Sequence, residues 1–144
     1  MNDAVLFRSA KFSLEPPRTE NGVCYDLPLG DDLAEFVIDS IRSTHRAVDH
    51  SPVVREDFGS VVDLTLDGRI YYLTVTWIAD SKHEDRWGIQ FSHPVGFWGF
   101  LLGRRSRPEA CRAVQNLVAE SLRQHPDVFR DVEWLSQEQF NKRV

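Results

Sequence analysis

Cysteine is close to absent from this chain, which holds Cys24 and Cys111 and no other. Without a Cys-x-x-Cys spacing, a zinc ribbon or a thioredoxin-like redox centre has no ligand set, and two isolated cysteines read as small core residues. Apolar runs long enough for a membrane are missing too. The apolar-rich stretch Val95 to Gly103 falls far short of the ~20 residues that a spanning helix needs. The amino terminus lacks the basic stretch followed by an apolar block that marks a secretory leader, so the expected location is cytoplasmic. No Gly-x-Ser-x-Gly nucleophile elbow occurs. Gly96, Gly99 and Gly103 are separated by residues too bulky for a phosphate-cradling loop. The histidines His45, His50, His83, His93 and His125 fall at element ends or in loops. Their one acidic neighbourhood, His83-Glu84-Asp85, reads as a solvated turn and not as a metal site. The expectation is a protein with no catalytic residues, no metal and no cofactor.

What is present is an ordinary globular balance. Of 144 residues, 42% are hydrophobic and 27% charged, which argues against disorder and for a single domain spanning 1–144. A chain of this length buries roughly two-thirds of its unfolded surface. The net charge of −5 is unevenly spread. Residues 1–103 carry 9 basic and 16 acidic side chains, a net −7, whereas residues 104–144 carry 8 and 6, a net +2. An acidic body disfavours nucleic acid, whose phosphates dominate that affinity. It suits a basic protein partner, whose approach it accelerates; its other use is solubility alone.

Along the chain, Val5 to Leu14 alternates imperfectly as a strand, with Arg8 and Lys11 pointing to a sheet edge. Pro16 and Pro17 end it, and Glu20-Asn21-Gly22 turns into a second short strand over Val23 to Leu27, a hairpin partner for the first. Pro28 breaks that strand. Asp32 and Glu35 have the spacing of a capping box, and Leu33, Phe36, Val37, Ile38 and Ile41 recur at helical period behind them. The clearest signal is central. Val62, Leu64 and Leu66 alternate up to Asp67-Gly68, which fits a type I′ turn, and Arg69 to Ile78 returns dense in β-branched and aromatic residues. The two-residue loop pairs Leu66 with Arg69, Leu64 with Tyr71 and Val62 with Leu73. One face is then Val62, Leu64, Tyr71, Leu73, Val75 and Trp77. The other carries Val61, Asp63, Thr65, Tyr72, Thr74 and Thr76, half polar like a solvated antiparallel sheet. Trp87, Ile89 and Phe91 alternate as a further strand. Ser106-Arg107-Pro108-Glu109 opens a second helix with the stripe Ala110, Val114, Leu117, Val118 and Ser121. Val132 to Leu135 reads as a last strand and Ser136 to Lys142 as a helical turn. The order β-β-α-β-β-β-α-β predicts an α+β fold: an antiparallel sheet of five to six strands with two main helices on one face.

Three groups of residues stand out as candidate contacts. Val95 to Arg107 is an apolar tongue ending in a basic knot, with Phe97, Trp98, Phe100, Arg104 and Arg105 as partner-binding candidates. Aromatics and arginine are the residues that anchor protein interfaces. The first reading of the same tongue is a turn in which Phe97, Phe100 and Leu101 seal the core, with protein contact second. A weak membrane-surface wedge and a stacking platform for single-stranded nucleic acid rank below both. Glu56 and Asp57, at the mouth of the central hairpin, are candidates for partner contact. As neighbours on an extended strand they point to opposite faces and do not form an acid–base pair. Tyr72, Trp77, Trp87 and His93 are candidates to line a small-ligand pocket between sheet and helices. The partner is expected to be a protein or a second copy of the chain, with no nucleic acid and no membrane span.

Cys24-Tyr25-Asp26-Leu27-Pro28, Gly30-Asp31-Asp32 entering a helix, and Pro52 leading to Glu56-Asp57-Phe58-Gly59 together resemble a family of small, largely uncharacterised bacterial α+β proteins. Such proteins have a Trp-rich central sheet, a loop of apolar and basic character, and a late helix followed by a Trp like Trp134. Ser60 stands where the family carries an aromatic. At fold level the chain is similar to immunity-type proteins, which are small, acidic and bind a secreted toxin. The resemblance implies a non-enzymatic protein-binding module and brings no catalytic residues with it.

Overall fold

The computed structural model describes residues 3–18, 22, 25–94, 101 and 108–144. Its strands are β1 (Ala4–Arg8), β2 (Asp49–His50), β3 (Val54–Glu56), β4 (Gly59–Leu66), β5 (Arg69–Trp77), β6 (Arg86–Ser92) and β7 (Arg130–Leu135). The helices among the described residues are α1 (Asp31–Thr44), α2 (Arg112–Gln124, preceded by a 3₁₀ turn over Pro108–Cys111) and α3 (Gln137–Arg143). The strands form one antiparallel sheet in the order β2-β4-β5-β6-β1-β7, with β3 also on β4. The expected α+β class holds.

The central hairpin has the register that its alternation dictates: Leu66 faces Arg69, Leu64 faces Tyr71 and Val62 faces Leu73. Asp67 and Gly68 both take positive φ, 50° and 75°, as a twist-matched two-residue turn requires. Val62, Leu64, Tyr71, Leu73 and Val75 are buried, and Trp77 packs half-buried against the same core. Beyond β4 the edge is broken. The β2 and β3 registers differ by one residue across Ser51–Val53. Ser51 bridges the gap: its amide donates to the Asp63 carbonyl at 3.0 Å, and its Oγ accepts from the Asp63 amide at 3.0 Å.

The N-terminal hairpin expected from the sequence is not seen among the described residues, and Val23 and Cys24 lie outside them. Tyr25 to Leu27 are not a strand, and β1 lies inside the sheet, between β6 and β7. Val5 and Phe7 face the main core, while Ala4 and Leu6 face a second apolar cluster. A strand apolar on both faces belongs where both faces are covered, and that outweighs the edge signal of the cations. Arg8 ends the strand in an ion pair with Asp85. Lys11 lies beyond it, with its ammonium 5.3 Å from the centre of the Phe36 ring.

Helices α1 and α2 cover one sheet face and run antiparallel, each ending at a histidine that reaches the other helix. His45 Nε2 lies 3.2 Å from Glu120 Oε2, and His125 Nε2 lies 3.2 Å from Ser40 Oγ. Below them Phe7, Phe12, Phe36 and Phe129 meet edge-on or stacked, with centroids 5.0 to 6.1 Å apart. Helix α1 does not use the expected Asp32–Glu35 box. Its N-cap is Gly30, at φ 68° with no side-chain cap, and Asp32 accepts instead from the amides of Ser13 and Leu33. Tertiary contact explains the choice, since a Cβ on Gly30 would sit 2.8 Å from both Trp87 and Val75. Helix α3 is the exception to the one-sided arrangement. Its capping box, Ser136 with Gln139, sets Phe140 on the opposite face. There Phe140 joins Ala4, Leu6, Ile78 and Leu135 in the second cluster.

Candidate functional site

The end of the sheet where β5 leaves and β6 returns carries a loop, 78–85, that is held from several sides. Trp77 Nε1 donates to the Glu84 carbonyl at 2.8 Å, fixing the indole across the loop. Asp80 accepts from the Lys82 amide at 2.9 Å and from Arg86 Nη1 at 2.8 Å. Those two donors hold the Asp80 carboxyl below the usual carboxylate range. Asp85 receives Arg8 Nε at 3.0 Å and Arg130 Nη2 at 3.3 Å. Burial pushes the Asp85 carboxyl up, but its hydrogen bond and ion pair with Arg8, helped by Arg130, outweigh burial and leave it below the usual range. The same contact raises the Arg8 guanidinium.

Against this loop lies a cleft of about 660 Å³, within the range of small-ligand sites. Trp77, Ala79, Asp80, Ser81 and Glu84 form one wall; Leu14, Pro16, Asp26, Leu27 and Pro28 form the other. Leu14 and Leu27 remain 39% exposed. Of the three carboxylates, Asp80 is neutralised by Arg86. Asp26 and Glu84 have no side-chain ion pair among the described residues. The cleft therefore sets aromatic and aliphatic walls beside two carboxylates that have no ion pair among the described residues.

The four pocket candidates read from the sequence separate. Trp77 lines the cleft. Trp87 is fully buried in the main core, its Nε1 without a hydrogen-bond partner among the described residues. Tyr72 pairs with Asp63 and Ser92 on the sheet face away from α1 and α2. His93 lines a second cleft of about 320 Å³ at the opposite end of the sheet, with Arg69, Ile70, Tyr71, Pro94 and Ala110. Glu56 and Asp57 lie exposed on the β3–β4 turn, at the same end as Trp77, next to Phe58, which is 51% exposed. Phe97, Trp98, Phe100, Arg104 and Arg105 lie outside the described residues; within that region Leu101 is described, and it is exposed. Cys24 also lies outside them, and Cys111 is buried.

Leu14, Asp26, Leu27 and Glu84 do not stand out in the sequence, because strand-like alternation runs through Leu14 and Leu27. Their signal was proximity to Pro16, Pro17 and Pro28, which deny the backbone a sheet and leave the leucines on irregular chain. No family model, curated protein or solved structure matches the chain. Among the described residues no helix is long and apolar enough to cross a membrane. The fold and the site together define an α+β protein with an acidic, aromatic-walled cleft at one end of its sheet.

Proposed function

We propose that the chain is a cytoplasmic, non-catalytic module that binds a basic protein partner, as an immunity-type protein does, and that the Trp77 cleft is the centre of the contact. The observation that carries this reading is the pairing of solvent-accessible apolar side chains, Leu14, Leu27 and Trp77, with the unpaired carboxylates of Asp26 and Glu84 in one concavity. Interface anchors fill apolar pockets, and complementary charge sets approach and orientation. Phe58 with Glu56 and Asp57 extends the same character along that end of the sheet. The net charge of −5 favours a cationic partner at long range.

The reading is tested by capture from extracts of the source cell on immobilised wild type and on the Asp26→Lys/Glu84→Lys double variant. A basic protein should be retained by wild type at low salt, released as salt rises, and lost with the double variant. Equal retention on both columns, or none on either, overturns the reading.

A further inference from the structure

We propose that the Trp77 cleft is a slot for a single arginine side chain presented by the partner. This rests on the binding reading above and names the chemistry the cleft selects. The walls supplied by Leu14, Pro16, Leu27 and Pro28 suit a methylene stem, which long cationic side chains lay along apolar surface while the head seeks charge. The Trp77 indole is held by its Nε1–H bond to the Glu84 carbonyl, and indole is the strongest cation–π acceptor among side chains. Asp26 and Glu84 offer two carboxylates with no ion pair among the described residues.

A planar guanidinium stacks on an indole and donates in a fork to carboxylates, and it is more weakly hydrated than an ammonium, so arginine is preferred to lysine. The loop already shows this pairing internally, where Arg86 engages Asp80 at 2.8 Å. Lys82 and His83 belong to the same loop but do not line the cleft, and among the described residues no cation occupies it. A purely apolar occupant would desolvate Asp26 and Glu84 without compensation, and an anion would be repelled.

The test is titration of the full chain with N-acetylarginine amide, its citrulline analogue (nearly the same shape, uncharged) and N-acetyllysine amide. The readout is the indole N–H resonances of the 4 tryptophans, with that of Trp77 assigned from Trp77→Phe. The arginine probe should shift the Trp77 resonance with a roughly millimolar Kd, as a fragment of this size allows. Citrulline should bind about tenfold more weakly and lysine less well than arginine. Asp26→Asn with Glu84→Gln should abolish the preference for arginine over citrulline, while the Trp87 and Trp134 indole resonances, from packed side chains, report an intact fold. Equal binding of arginine and citrulline, or no Trp77 shift at saturating probe, overturns the proposal. If the probe fails but partner capture still depends on Asp26 and Glu84, the arginine anchor falls and the binding reading stands. If capture is also indifferent to them, both fall.

Discussion

At the scale of single residues, two glycines separate backbone strain from steric exclusion. Gly68 has φ +75° and nothing within 4 Å of a built Cβ, whereas a Cβ on Gly59, at φ +156°, would lie 1.9 Å from the Val75 carbonyl oxygen. Gly68→Ala should therefore cost about 1 kcal/mol, the left-handed penalty alone. Gly59→Ala should cost at least about 3 kcal/mol or prevent folding, because β4 must move off β5. Urea unfolding of the two variants checks the order. Asp85 gives a pH signature. Its carboxyl is depressed in the folded state, so its contribution is present above the unfolded value of about 3.9 and fades as pH falls towards and through the folded value. Asp85→Asn should lower the urea midpoint at pH 6, and its difference from wild type should shrink as pH drops below about 4. A difference that grows in acid would contradict the assignment.

At the scale of elements, α3 is short, yet it closes a face. Phe140 seals Ala4, Leu6 and Ile78 and lies so near Gly88 that a Cβ there would meet its ring at 2.7 Å. Phe140→Ala should cost about 3–5 kcal/mol, and Ser136→Ala about 1 kcal/mol through loss of the capping box; thermal and urea unfolding measure both. The elements also mark how far the sequence could be read. The β4–β5 hairpin was legible to the residue, because alternation and Asp67-Gly68 act locally. The start of α1 was not, because Gly30 is selected by Trp87 and Val75, which lie far away in sequence. β1 misled because Ala4 to Phe7, apolar on both faces, signalled its place less plainly than two cations signalled an edge. Trp77 was recognisable as a candidate pocket residue and lines the cleft, but its companions Leu14 and Leu27 come from irregular chain, where no periodicity reports which side a residue faces.

At the scale of the molecule, two apolar clusters lie on opposite faces of one sheet and share β1, Val5 and Phe7 serving one, Ala4 and Leu6 the other. Neither can melt without stripping a face of that strand. Tryptophan fluorescence and far-UV circular dichroism should report one coincident urea transition; two separated transitions would contradict the shared strand. The sheet's outer strands are guarded. β2 and β3 are interrupted at Pro52, and β7 carries Arg130, Asp131 at φ 53° and Glu133, with a register shift opposite Leu6 to Arg8, devices that discourage edge-to-edge pairing. The position of β1 has a further consequence, for synthesis. Leu6 is paired with Gly88 and Glu133, so β1 is synthesised well before either of its partners. During that interval Ala-Val-Leu-Phe is an unpaired apolar ribbon, open to any neighbour with a free strand, while the long loop to its partners must be closed. Moving β1 to follow β7 through a permuted chain would shorten that wait on its β7 side.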